Sequence, residues 1–213
     1  SSARGGFAHV LGRGVTLPDD GEAGSADAGP SPADSDALGA PPASGPCDAG
    51  MVEIQGEGLH FCIDRAEYPG LDRAPATEVD LPHARQACAA RGHALCTEAQ
   101  WMRACRGASG WLFPYGPRRE AGRCRVGDAS AHPGPSGADP HCVTPEGVLD
   151  LVGNVAEWTE EGVVLGGSVR SKKSVSCAHR QDVPAQDKRP AVGFRCCAPP
   201  SSGGGDSGAT DGG

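Results

Sequence analysis

The chain has 213 residues, enough for one domain with tails, and its 33 Gly and 19 Pro keep long helices and broad sheets from dominating it. Its net charge of −8 sits largely at the ends: residues 1–46 hold six acids and two bases, and residues 198–213 two acids and no base. The part between is nearly balanced and has no basic block, which argues against nucleic-acid binding, and no apolar run reaches the roughly 18 residues of a membrane-spanning helix.

Residues 14–46, "GVTLPDDGEAGSADAGPSPADSDALGAPPASGP", contain almost no large apolar side chain. Such a segment cannot bury enough surface to offset its ordering entropy, so residues 1–46 are expected to form a disordered tether. The chain opens on Ser1 rather than Met, so the lack of a leader here says little about export. Within the unit expected to fold, 47–198, "MVEI" and "LHFCID" read as short strands flanking "QGEG", a glycine-containing turn. "DLPHARQACAARG" reads as a helix capped by Asp80, with Pro82 in its first turn and Gly92 ending it. "TEAQWMRACRG" reads as a second helix, opened by a Thr97/Gln100 capping box and closed by Gly107. Residues 107–149 look mostly irregular, "AVGFRCC" reads as a final strand, and residues 199–213 form a Gly/Ser-rich flexible tail. The pattern predicts a loop-rich α+β domain.

Ten cysteines, at 47, 62, 88, 96, 105, 124, 142, 177, 196 and 197, are many for this length. No C-x-x-C pair occurs, and adjacent Cys196 and Cys197 are poorly placed to share one zinc. The even number points instead to five disulfides made in an oxidising, extracytoplasmic compartment. Cys177 raises a separate question, because "VRSKKSVSCAHR" surrounds it with cations that would stabilise a thiolate. It is either a reactive nucleophile or half of a bridge.

The order of short motifs goes further. "GMVEI", "FCIDRAEYP", "ACAARGHALCTEAQWMRACRG", "FPYG", "LDLVGNVAEWTE", "LGGSV" and "VGFRCC" follow one another over about residues 50–197. Together they resemble the formylglycine-generating enzyme (sulfatase-modifying factor) family. The resemblance implies a C-type-lectin-like formylglycine-generating-enzyme fold with little regular structure. It does not by itself imply an activity, because the family includes copper-dependent oxidases, domains of other enzymes and members of no known activity.

The oxidase members hold copper(I) with two cysteines placed after the "GGS" segment, before a third, structural one. Here Gly166-Gly167-Ser168 is followed by "VRSKKSVSC", which contains only Cys177, 16 residues before Gly193, the spacing of the structural cysteine. Both copper positions are lost, so no catalytic residue and no copper are expected. By the resemblance Cys177 pairs with Cys105 and Cys88 with Cys196. Proximity and parity suggest Cys47–Cys62, Cys96–Cys197 and Cys124–Cys142 for the rest, and neighbours on a strand point to opposite faces, which keeps Cys196 from Cys197.

The stretch "DLVGNVAEW" resembles the family's calcium loop, whose ligand positions fall on Asp150, the Gly153 and Val155 carbonyls, and Glu157. Hard oxygens of this kind suit calcium. The other reading is that Asp150 and Glu157 merely cap and solvate a turn. A second family calcium site is not expected, because Arg125 stands where its first ligand would be. The sequence also departs from the family at Ala156, where a tryptophan is usual. The seven histidines form no ligand pattern, and no G-x-S-x-G, P-loop or H-E-x-x-H occurs. The sequence therefore suggests an exported, non-catalytic binding or scaffold module, partnered by another protein or a cell-surface glycan and anchored through its tether or a lipid. The alternatives are a copper-dependent oxidase or related enzyme with a divergent site, and a lectin-like sugar-binding module.

Overall fold

The structure, a computed structural model, describes residues 45–201. The expected tether and tail lie outside those residues, apart from their innermost positions. Alternating apolar residues build a hairpin from β1 (Met51–Gly56) and β2 (Leu59–Asp64), in register from Met51↔Asp64 to Gly56↔Leu59. Glu57 and Gly58 join the strands at φ 55° and 77°, the left-handed two-residue turn whose twist matches that of paired strands. The hairpin turns Ile54, Phe61 and Ile63 inward, where they are buried.

Helix α1 (Leu81–Ala89) starts where Asp80 accepts from the His83 backbone N–H, and it stops three residues short of Gly92. Helix α2 (Glu98–Arg106) has both halves of the Thr97/Gln100 capping box and ends at Gly107, whose φ is 59°. It buries Trp101, Ala104 and Cys105.

The remaining strands are short: β3 (Ala94–Leu95), β4 (Ala156–Trp158), β5 (Val163–Leu165), β6 (Arg180–Asp182), β7 (Val192–Phe194) and β8 (Cys196–Ala198). They form two four-stranded sheets, ordered β1-β2-β8-β3 and β6-β5-β4-β7, in which only β4 and β7 run parallel. "AVGFRCC" is thus two strands rather than one. The chain leaves one sheet at Phe194 and enters the other at Cys196, and Arg195 between them is wholly buried. One apolar cluster gathers Ile54, Phe61, Trp101 and Leu151, and another gathers Leu81, Leu95, Trp158 and Phe194. Ala156, where the family usually carries a tryptophan, is buried in the latter. Between α2 and β4 the only ladders among the described residues are the isolated bridges Phe113↔Gly116 and Val143↔Leu149, so this half is irregular as expected.

All ten cysteines are paired: Cys47–Cys62, Cys88–Cys196, Cys96–Cys197, Cys105–Cys177 and Cys124–Cys142. Each expected pair is present. Cys196 and Cys197 diverge as strand neighbours should, one clamping α1 and the other the residue before the α2 cap. Cross-links over 108, 101 and 72 residues constrain the unfolded chain strongly, which offsets the sparse regular structure. Five disulfides fit folding in an oxidising compartment. Among the described residues no helix is long and apolar enough to cross a membrane.

Candidate functional site

Arg195 sits where the chain crosses between the sheets, and every arm of its guanidinium is used. Nε and Nη2 donate to Glu157 Oε2 and Oε1 at 2.7 and 2.6 Å, Nη1 donates to the Asp64 carbonyl, and Nη2 also donates to the Leu149 carbonyl. Glu157 Oε2 takes a further bond from Trp101 Nε1 at 2.7 Å. Both ions are almost completely buried, so the pair is bidentate and dry. Strand β4 places Glu157 and the β7–β8 crossing places Arg195, which ties the two sheets and α2 together.

Two more acids share this interior. Glu67, from "DRAEYP" just after β2, is fully buried, and its Oε1 accepts from Asn154 Nδ2 at 3.0 Å. Its Oε2 has no partner. Burial, reinforced by the Asp150 charge, pushes the Glu67 carboxyl up to about 8. Asp150 is buried as well and accepts from Gly137 N at 2.6 Å, and burial pushes it up to about 6. Three buried carboxylates therefore face one guanidinium. If all were ionised the interior would hold an excess of two negative charges, which a low-dielectric site resists.

The four residues expected to bind calcium fall at this cluster. Asp150 and Asn154 have left-handed backbones at φ 56° and 48°, with Gly153 at 88° between them, so the loop turns sharply through the site. A side chain at Gly153 would stand 2.4 Å from the Arg125 carbonyl, which fixes the glycine. The Gly153 and Val155 carbonyls accept no hydrogen bond from the turns and loops among the described residues. Oxygens of these types are the donors that a hard divalent cation takes. The geometry is less complete, since among the described residues no three His, Cys, Asp or Glu side chains converge as a ready metal-holding group. Glu157 is already engaged by Arg195 and Trp101, so it is neither a free ligand nor a solvated cap. Glu67 and Arg195 are not singled out by the sequence: the lone cation in the apolar "VGFRCC" is a signal for Arg195, whereas Glu67 is one of three charged residues in "FCIDRAEYP".

The segment that would carry the copper cysteines is Gly166–Ser176. Its turns are closed by Ser171 Oγ, which accepts from Ser168 N, and by Val175 N donating to the Lys172 carbonyl. Cys177 is buried, bridged to Cys105, and donates its backbone N–H to Leu112 O. The cations around it lie in a largely solvated loop, and the thiol is a staple. Arg125, which stands where a second family calcium site would begin, pairs with Asp139 at 2.9 Å.

Several known proteins resemble this chain in sequence or in fold. Inactive C-alpha-formylglycine-generating enzyme 2 from Bos taurus is 31% identical over 150 residues, covering 58% of this chain and 50% of the relative. The Mus musculus protein of the same name is 30% identical over 151 residues, covering 58% and 49%. The chain thus spans about half the length of these relatives. PvdO from Pseudomonas aeruginosa has a similar fold, with a TM-score of 0.55 at 17% identity over 70% of this chain and 90% of PvdO. Treponema denticola variable protein 1 gives 0.55 at 13% identity, over 70% and 95%. The C-type-lectin-like formylglycine-generating-enzyme fold implied by the motifs is the fold of this chain. Residues 53–199 match the sulfatase-modifying factor enzyme 1-like domain, and the chain belongs to that family.

Proposed function

We propose that this protein is an exported, non-catalytic member of its family that works as a binding or scaffold module. One observation carries the reading: no cysteine lies between Gly166 and Ser176, and the next one, Cys177, is consumed in a buried bridge to Cys105. Copper(I) needs soft sulfur ligands, and a single bridged sulfur offers none. The relatives named as inactive support the same reading. A disulfide-rigid platform with long irregular loops suits recognition of another protein or a surface glycan, since loops held by a rigid scaffold commonly carry binding sites. Anchoring through the N-terminal tether or a lipid would hold it outside the cytoplasm. The test is to incubate purified protein with copper and a sulfatase-type cysteine peptide and to look for the mass loss of aldehyde formation. No aldehyde above the copper-only background is expected; aldehyde that disappears in Cys177→Ser would overturn the reading.

We further propose that the acidic interior takes one structural calcium ion. Asp150 and the Gly153 and Val155 carbonyls would hold it, with water completing the oxygen set, while Glu157, expected from the sequence as a fourth ligand, would brace the loop through Arg195 and Trp101. What supports this is the buried Asp150 carboxyl on a left-handed turn with Gly153. The ion would hold that carboxyl ionised and brace the loop between β4 and the irregular half.

A further inference from the structure

A cavity of about 560 Å³ opens beside the Gly166–Ser176 segment, lined by Arg119, Arg125, Asp128, His132, Asp139 and Lys173 among others. Its size falls in the range of small-molecule sites, about 300–1,000 Å³. The charge of its wall differs from that of the chain, whose net value is −8. Arg125 is paired with Asp139, and Asp128 is turned back on its own loop by bonds from Ser130 N and Oγ at 3.0 and 2.7 Å. Arg119 and Lys173 have no acidic partner among the ion pairs of the described residues. Three cations therefore face two carboxylates, and the wall carries a net positive charge.

The placement of these cations is built into the backbone. The aliphatic stem of Lys173 crosses Gly127 so closely that a Cβ there would stand 2.4 Å from Lys173 Cγ. The guanidinium of Arg125 lies over Gly134, where a Cβ would stand 2.6 Å from Nη1. Both long side chains lie across bare glycine backbone, and a larger residue at Gly127 or Gly134 would displace them. A second cleft adjoins the first, sharing Arg119, Lys173, Cys124 and Val126, and the stacked Phe113–Tyr115 pair lines it with rings 5.6 Å apart. Glu120 lines this narrow cleft too, but it is paired with Arg123.

We infer that this cavity binds a small ligand bearing an oxyanion, a carboxylate or a phosphate or sulfate ester, with Lys173 and Arg119 meeting the charge and Arg125 held ready beside Asp139. Guanidinium and ammonium groups are the side chains suited to such oxyanions. The inference deepens the binding-module reading and rests on it.

Calorimetric titration of the full chain at low salt, with citrate, inorganic phosphate and glucuronate as probes and glucose as the uncharged control, tests it. Binding of at least one anion and not of glucose is expected, with the probe preferred showing which oxyanion the site favours. Lys173→Glu and Arg119→Glu should each weaken that binding about tenfold or more, as expected for reversing a ligating charge. Gly134→Ala, which displaces Arg125, should weaken it less, and Lys188→Glu outside the cavity should leave it unchanged. The thermal midpoint of each variant shows that it is folded. No uptake of any anion, or uptake indifferent to both charge reversals, overturns the inference. Capture of a protein partner by a folded chain that takes up no anion would do so while leaving the binding-module reading intact.

Discussion

Glu157 and Glu67 are both fully buried and share one interior, yet their surroundings differ. Glu157 has a bidentate guanidinium and an indole N–H, and its charge is answered where it stands. Glu67 has one amide donor and an oxygen with no partner, and its carboxyl is pushed up to about 8. The first is a finished structural joint between two sheets. The second is held at a distance from full satisfaction, the condition in which a buried acid either keeps a proton or accepts a cation.

The largest effect should come from breaking the finished joint. Arg195→Met leaves Glu157 buried without its counter-charge, and removing one partner of a buried pair costs about 3–5 kcal/mol. Denaturant unfolding should show that loss, whereas Arg195→Met combined with Glu157→Leu should recover much of it. If the single substitution were nearly neutral, Glu157 would not depend on Arg195 and the contrast with Glu67 would fail.

Calcium should produce the next largest change. Bound to the native state alone, it would stabilise by about 2.7 kcal/mol at a hundredfold excess over its dissociation constant. A calorimetric scan after chelation and again with calcium should show the melting temperature rise, and Asp150→Ala should abolish the rise with all five disulfides intact. A melting temperature indifferent to calcium would leave Glu67 and Asp150 as proton-holding acids.

A smaller effect concerns pH in the calcium-free protein. The Glu67 carboxyl moves from an ordinary 4.5 to about 8 and that of Asp150 from 3.8 to about 6, so the native state holds protons that the unfolded chain has released. Stability contributed by these acids is then full below about pH 4 and falls as pH rises, through 6 for Asp150 and 8 for Glu67. Glu67→Gln keeps the acceptor for Asn154 and removes the charge, so its stability should fall less between about pH 4.5 and 8. An equal fall in both proteins would mean that Glu67 does not titrate there.

The difference between the two acids also marks how far the sequence could be read. Asp80, Thr97 and Gln100 announce their helices because capping is a local matter, settled within three or four residues. The hairpin at Glu57-Gly58 is local in the same sense. Strands β4, β5 and β6 are three residues each and carry no period long enough to see; their pairing is decided by partners far along the chain. "AVGFRCC" looks continuous because its apolar run hides the one residue that breaks it, and only the buried carboxylate across the sheets explains why Arg195 turns in. The cysteine pairs were reached by resemblance and parity, not by any local signal. Asp150, Gly153, Val155 and Glu157 do share one loop and strand, but the engagement of Glu157 by Arg195 and the presence of Glu67 are properties of the packed interior.

The non-catalytic reading turns on the state of Cys177. Native protein should be treated with an alkylating agent before any reduction, digested, and its ten cysteines weighed by mass spectrometry. The account predicts no labelled cysteine and a Cys105–Cys177 linked peptide. Label on Cys177, with Cys105 free beside it, would contradict it and return a reactive thiol to the centre of the protein.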